Sequence, residues 1–214
     1  MREVAITAWM GMTVRNLFYG KTLDELNEKY KLTIVSYYSD ELRTAFPVIS
    51  KNSTFIKIAI PRWRFPSMQG KFVNLFFKWN LHGILLQHGI HSAWQALQTE
   101  KVNHRNWHHF HRIIGGRIAV ALRRRNEGSD LLRDVVYSIP LQKELRSVDA
   151  LLVATTDLPK DQQLTYTFRK LGIPVIALVH SFDNLTSKGF IPALPDRLLV
   201  WNEIMLQEAV EYHG

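Results

Sequence analysis

The sequence predicts an α/β domain: a doubly wound, mostly parallel Rossmann-like sheet with a long helical insert between strands three and four. Three observations carry that expectation. Six short runs are almost continuously apolar, as strands covered on both faces must be. Most of the runs are separated by segments of helical periodicity or closed by a glycine or proline. The alternation lapses once, over residues 61–148, and then resumes in the same style. The whole of 1–214 is expected to form one such domain.

Residues 4–9 are the first apolar run and close at Gly11, which suits a buried first strand. Residues 13–29 then place Val14, Leu17, Phe18, Leu23 and Leu26 at helical spacing, away from Lys21, Glu25 and Glu28. Residues 32–37 are a second strand, and Ser39 and Asp40 suit the cap of a short helix that stops before Pro47. Residues 55–60 form a third strand, closed by Pro61. Beyond the insert, 149–154 is a fourth strand and 160–171 a helix ended by Gly172. Residues 174–179 and 197–201 are the fifth and sixth strands. In such sheets ligands bind beyond the carboxyl ends of the strands, so the informative residues lie just after each run.

Composition removes several function classes. There is no cysteine, so disulfide scaffolds, thiolate zinc sites and cysteine nucleophiles are excluded. The chain does not open on a secretory leader pattern, which makes a cytoplasmic setting the expectation. The longest apolar stretch, 72–86, is broken by Lys78, Asn80 and His82 and falls short of a membrane span.

Charge is distributed unevenly. The chain carries 27 Lys and Arg against 19 Asp and Glu, a net +8, but residues 61–125 hold 11 basic residues against the single acid Glu100. That stretch alone is +10, and it also carries seven of the nine histidines and four of the six tryptophans. It includes Arg62-Trp63-Arg64, and then Phe72, Leu75, Phe76 and Trp79 on one helical face beside Lys71 and Lys78. A basic helix with an aromatic face can lie in a membrane interface, and each basic residue near an anionic surface adds about 1 kcal/mol. The plainer reading is a helical crossover whose aromatic stripe is core; it accounts for the aromatics and not for the charge. Arg123, Arg124 and Arg125 suit a helix C-terminus. With Arg112 and Arg117 they equally suit phosphate groups. A nucleic-acid module using the same charge is the alternative, but no RNA or DNA motif is present, and an anionic inner-membrane surface is favoured. His104 and His108 have a spacing able to share a metal, yet no carboxylate stands near them and Arg105 and Arg112 would repel a cation, so no metal site is expected.

Two loops carry groups suited to chemistry. After the first strand come Gly11, Met12, Thr13, Arg15 and Asn16, where a glycine turn, a helix N-terminus and a cation suit an anionic group. The pattern is not GxGxxG, and a plain strand-to-helix turn reads the same way. After the fifth strand come His180, Ser181, Phe182, Asp183, Asn184, Leu185, Thr186, Ser187, Lys188 and Gly189. Asp183 or His180 could serve as general base on a hydroxyl nucleophile. Asn184, Ser187 and Lys188 could hold a sugar or phosphate. A capped surface turn uses the same residue types.

The segment His180-Ser-Phe-Asp-Asn-Leu-Thr-Ser-Lys-Gly189, with Leu194-Pro-Asp-Arg-Leu-Leu-Val-Trp-Asn-Glu203 and Glu208-Ala-Val-Glu-Tyr-His-Gly214, resembles bacterial glycosyltransferase-like proteins of surface and capsular polysaccharide synthesis. Their pattern is similar to S-W-D-N-L-T-x-K-G, then P-D-R-x-x-V-W-x-E, then a helix ending in H-G. Phe182 stands where tryptophan is usual, a swap expected to keep the packing. Residues 11–16 also resemble the family's first strand-to-helix loop. The likeness covers the two ends of the chain and not the middle third. It implies a two-domain GT-B architecture in which this chain is the acceptor-side half, ending about where the link to a donor-binding domain would begin. It implies metal-independent sugar transfer from a nucleotide-sugar donor to a sugar or lipid-linked acceptor, with no resident cofactor, on the inner face of the membrane. Asp183 or His180 would be the base, with acceptor contacts from Gly11, Met12, Thr13, Arg15, Asn16, Ser181, Asn184, Thr186, Ser187 and Lys188. Half of such an enzyme would not turn over substrate alone.

Overall fold

A computed structural model describes residues 1–58, 79, 83, 114–118, 134, 137–187, 190–191 and 193–213. Within them six strands form one all-parallel sheet: β1 (Glu3–Thr7), β2 (Lys31–Ser36), β3 (Ser53–Lys57), β4 (Ala150–Val153), β5 (Val175–Leu178) and β6 (Arg197–Leu199). Their order is β3-β2-β1-β4-β5-β6. The order reverses between β1 and β4, the topological switch point of a Rossmann-like sheet, and all six strands end at the same edge.

Alternation along the strands builds two cores. Ala5, Val35, Ile56, Leu151, Val153, Val175 and Ala177 face one side, where they meet Leu164 and Phe168 of helix α5 (Pro159–Lys170). Ile6, Ala8, Leu32, Ile34 and Phe55 face the other. There they meet Leu17 and Phe18 of α1 (Gly11–Phe18), Leu23 of α2 (Thr22–Lys29), Leu42 of α3 (Ser39–Ala45) and Ile49 of α4 (Pro47–Asn52). Successive strand residues point to opposite faces, so an apolar run is what a strand covered twice requires. A third cluster of Val179, Leu185, Ile191 and Met205 joins α6 (Asn184–Ser187) and α7 (Glu203–Glu208) to the β5–β6 end.

Several boundaries differ from the sequence expectation. The single helix expected over 13–29 is two, α1 and α2, separated at Tyr19-Gly20-Lys21. Glycine is a poor helix-interior residue, and the break lets Phe18 and Leu23 pack on the same side of the sheet from separate helices. Ser39 and Asp40 lie inside α3 and do not cap it: Tyr38 is the N-cap, with no side-chain bond. Pro47 stops α3, as expected, but then opens α4 at its first position, where its missing N–H costs nothing. Residues 149, 154, 174, 179, 200 and 201 flank strands instead of belonging to them.

Of the insert, Trp79, Gly83, 114–118, Asp134 and 137–148 are described; those up to Tyr137 are helical, and 138–148 hold only the 3-10 turn Lys143–Arg146. Gly83 lies against Phe190, where an added Cβ would fall 2.8 Å from the ring, and Gly115 lies against the Trp79 indole. The Asp134 carboxylate accepts from Tyr166 Oη at 2.6 Å and Lys170 Nζ at 2.7 Å, tying α5 to the insert. Asp134 is accordingly held below the ordinary carboxylate range by Lys170 and then Tyr166. No described helix is long and apolar enough to cross a membrane.

Helix α5 ends in a six-residue closure about Gly172. Ile173 N–H donates to Phe168 O at 3.0 Å and Gly172 N–H to Arg169 O at 2.9 Å, with Gly172 at φ +74°. Only glycine takes that left-handed conformation without strain. Gly172→Ala is therefore expected to destabilise the fold by about 1–2 kcal/mol, read as a lower urea midpoint with an unchanged slope.

Candidate functional site

The carboxyl edge of the sheet is organised around a fully buried carboxylate. Asp161 lies in the first turn of α5, directly under the switch point. Its Oδ1 accepts from Trp9 Nε1 at 2.7 Å and its Oδ2 from Thr155 Oγ1 at 2.7 Å. Thr7 also donates to it, while Thr7 Oγ1 accepts from Ala154 N–H at 2.9 Å. The loop after β1 and the loop after β4 are thereby pinned to one group. Trp9 in turn packs on Tyr37 beyond β2, with ring centroids 4.5 Å apart.

Burial pushes the Asp161 carboxyl up from 3.8 to about 6; its hydrogen bonds to Thr155, Trp9 and Thr7 oppose the shift, and the Asp157 charge adds to it. Tyr37 is pushed well above the usual phenol range, first by burial and then by Asp161 and Tyr38.

A second cluster joins the loops after β4 and β5. Asn184 Nδ2 lies 3.4 Å from Asp157 Oδ1 and 3.0 Å from His180 Nδ1, and Asp157 Oδ1 is 3.7 Å from the same ring nitrogen. Ser181 Oγ donates to Asp183 Oδ1 at 2.5 Å. The Asp183 carbonyl accepts from Thr186 N–H and Thr186 Oγ1, both at 3.1 Å, which closes α6 as a tight turn.

His213 cross-links the far side of this loop. Ile191 N–H donates to Nδ1 at 3.2 Å, so Nε2 carries the proton and donates to Leu185 O at 2.7 Å. The histidine of the terminal H-G pair is thus a buried brace in a π-helical turn, Ala209–His213. Trp201 does similar work: its indole N–H donates to Val179 O, while its ring is 63% exposed.

The structure brings His180, Ser181, Asp183, Asn184 and Thr186 together at the end of β5. Ser187 is in α6, and Lys188 and Gly189 lie outside the described residues. In the first loop, Gly11 and Met12 are exposed and open α1, and Thr13 is buried beneath them. Gly11 is not required by its own backbone: its φ is not positive, and an added Cβ would meet nothing within 4 Å. Arg15 and Asn16 sit a turn further on, where Arg15 Nε donates to Asn16 Oδ1 at 3.3 Å. That places the Arg15 backbone about 6 Å along the axis from the first helical residue, in the last turn of α1. Phe182 is 79% exposed, so the expected packing role of this position is not what holds it.

Arg62, Trp63, Arg64, Lys71, Lys78, Arg123, Arg124 and Arg125 fall outside the described residues, as do His104 and His108. Arg117 is exposed. Among the described residues no group of three or more His, Asp or Glu is placed to hold a metal ion. Asp157, Asp161, Thr155 and Tyr37 were not singled out by sequence reasoning. A tryptophan closing a buried strand does signal that its indole N–H needs an acceptor, but nothing local says that the acceptor is 152 residues away.

Comparison of the chain with protein-family models, curated proteins and solved structures finds no match in any of the three.

The raised carboxyl has a consequence for stability. A group whose pKa is higher folded than unfolded stabilises below its unfolded value, and that contribution is lost as pH rises through the folded one. The native state gains up to about 3 kcal/mol from Asp161 at pH ~4 relative to pH ~7. Urea unfolding of wild type and Asp161→Asn across that window is expected to show wild type losing roughly 2–3 kcal/mol that the variant keeps. Equal pH dependence in the two would show that folding does not raise the Asp161 carboxyl.

Proposed function

We propose that this chain is the acceptor-side domain of a GT-B-like glycosyltransferase of bacterial surface-polysaccharide synthesis, working peripherally on the inner membrane. The reading is carried by one observation. Polar groups from the loops after β4 and β5 meet at the carboxyl edge of a Rossmann-like sheet, next to its switch point, where ligands of such sheets bind. The motif resemblance falls on the same loop. In this reading a nucleotide-sugar donor binds a second domain facing this edge, and the acceptor hydroxyl lies over the β5 loop. Asp183 is the base in this reading. It is half-buried, its carboxylate is held by Ser181, and its loop is fixed from below by Asn184 and Leu185. The transfer forms the bond from acceptor oxygen to the anomeric carbon, breaks the bond to the donor phosphate, and delivers the acceptor proton to the carboxylate.

In an enzyme carrying this domain joined to its donor-binding domain, Asp183→Ala is expected to lower transfer about 10²–10⁴-fold with nucleotide-sugar affinity unchanged. Full transfer by that variant removes Asp183 as the base. Failure of the joined enzyme to bind any nucleotide sugar by calorimetry overturns the reading.

A second reading is favoured by the +10 on residues 61–125: a non-catalytic module for nucleic acid. Flotation with anionic liposomes, set against binding of a random oligonucleotide over a salt series, separates the two. Anionic vesicles are expected to retain the protein. Oligonucleotide binding with no vesicle binding would favour the module.

A further inference from the structure

We propose that Asp157 is a positioning residue which, through Asn184, fixes His180 as the Nε2–H tautomer, so that the site offers a hydrogen-bond donor to an uncharged sugar oxygen. The inference rests on the acceptor-site reading of this edge. It also removes His180 as the alternative base that the sequence left open beside Asp183, because a ring protonated at Nε2 donates there and does not take a proton.

The chain of reasoning starts at Asp157. Its Oδ1 lies 3.4 Å from one terminal atom of the Asn184 amide. A carboxylate oxygen repels an amide oxygen and attracts an amide NH2, so this atom is Nδ2. The same Nδ2 is 3.0 Å from His180 Nδ1. An NH2 group has two protons and no acceptor lone pair to give, so it donates one proton to each neighbour, and Nδ1 must accept. A neutral imidazole accepting at Nδ1 carries its proton on Nε2. Asn184 is buried and opens α6, so the amide has little freedom to turn away.

Nε2 has no hydrogen-bond partner among the described residues, and the side chain of His180 is only 8% exposed. A donor with so little water around it gains from a ligand oxygen. The class of that ligand follows from the charges present. Asp157 stands 3.7 Å from the ring, with no partner in a hydrogen bond or ion pair among the described residues other than Asn184 and His180. Asp183 belongs to the same turn. The Asp157 carboxylate beside the ring disfavours phosphate, whereas a sugar hydroxyl can accept from Nε2–H and donate to a carboxylate at once.

The test is long-range ¹H–¹⁵N correlation on the uniformly labelled chain at about pH 8, above the ordinary imidazole range. His180 is expected to show a protonated Nε2 and a bare Nδ1; the reverse pattern in wild type overturns the proposal without any substitution. In Asp157→Asn, the amide that replaces the carboxylate no longer dictates which way Asn184 faces. The tautomer ratio is then expected to move toward Nδ1–H by about tenfold or more, and Asp157→Glu to restore it. An unchanged ratio in a folded Asp157→Asn protein, judged by its amide spectrum, overturns the role of Asp157. For the ligand, a panel of methyl hexopyranosides and inorganic phosphate are titrated separately. Movement of the His180 Nε2 resonance by at least one glycoside and not by phosphate is expected. Movement by phosphate alone, or by nothing, overturns the ligand class. Because the readout is a ring tautomer and not sugar transfer, this proposal and the glycosyltransferase reading can fail separately.

Discussion

Everything at the carboxyl edge depends on where the Asp161 carboxylate is held. A Rossmann-like sheet opens at its switch point because the connections leave in opposite directions, and nothing in the strand ladder itself fixes the two loops that border the gap. Here Trp9, Thr7 and Thr155 all converge on one buried acid from α5. Burying a carboxylate is unfavourable unless its lone pairs are met, and three donors meet them. The interaction therefore does two things. It closes the floor between β1 and β4, and it fixes the start of α5, from which the Asp157 loop projects toward His180.

From that floor the candidate site is built by bracing. Asn184 reaches across to Asp157, His213 ties Leu185 to Ile191, and Trp201 holds the end of β5. Each brace uses a side chain to satisfy a polar group that an irregular loop would otherwise leave buried and unpaired. The exposed groups, Phe182 among them, are carried on this braced loop without contributing to it. A loop braced in this way holds the groups it carries at fixed positions.

The strands were legible because burial on two faces leaves a plain mark: Ala5-Ile6 and Ile34-Val35 each send one residue to either core. The break between α1 and α2 was less legible, since the apolar spacing of residues 13–29 continues through Gly20 and only packing shows that two short helices replace one. The β5 loop was legible as a concentration of polar residues. Its internal wiring was not. Asp157 and Asp161 read as surface residues of a loop and a helix start, and their partners are set by which strands become neighbours, a property of topology and not of local pattern. The +10 stretch was legible as charge, while of its basic residues only Arg117 is among the described residues.

The pairing of β1 with β4 joins Val4 to Ala150, residues far apart along the chain. Closing a loop of that length carries an entropy cost of about 4 kcal/mol that no local contact offsets. On a ribosome adding roughly 5–20 residues per second, β1, β2 and β3 emerge first and then wait about 5–20 s for the fourth strand. During that interval one side of β1 is an open apolar edge, Ala5 and Ile6 included, able to pair with any passing strand. The centre of the finished sheet is thus closed only after one half of it has already been made, and the strand that becomes its middle is an edge until then.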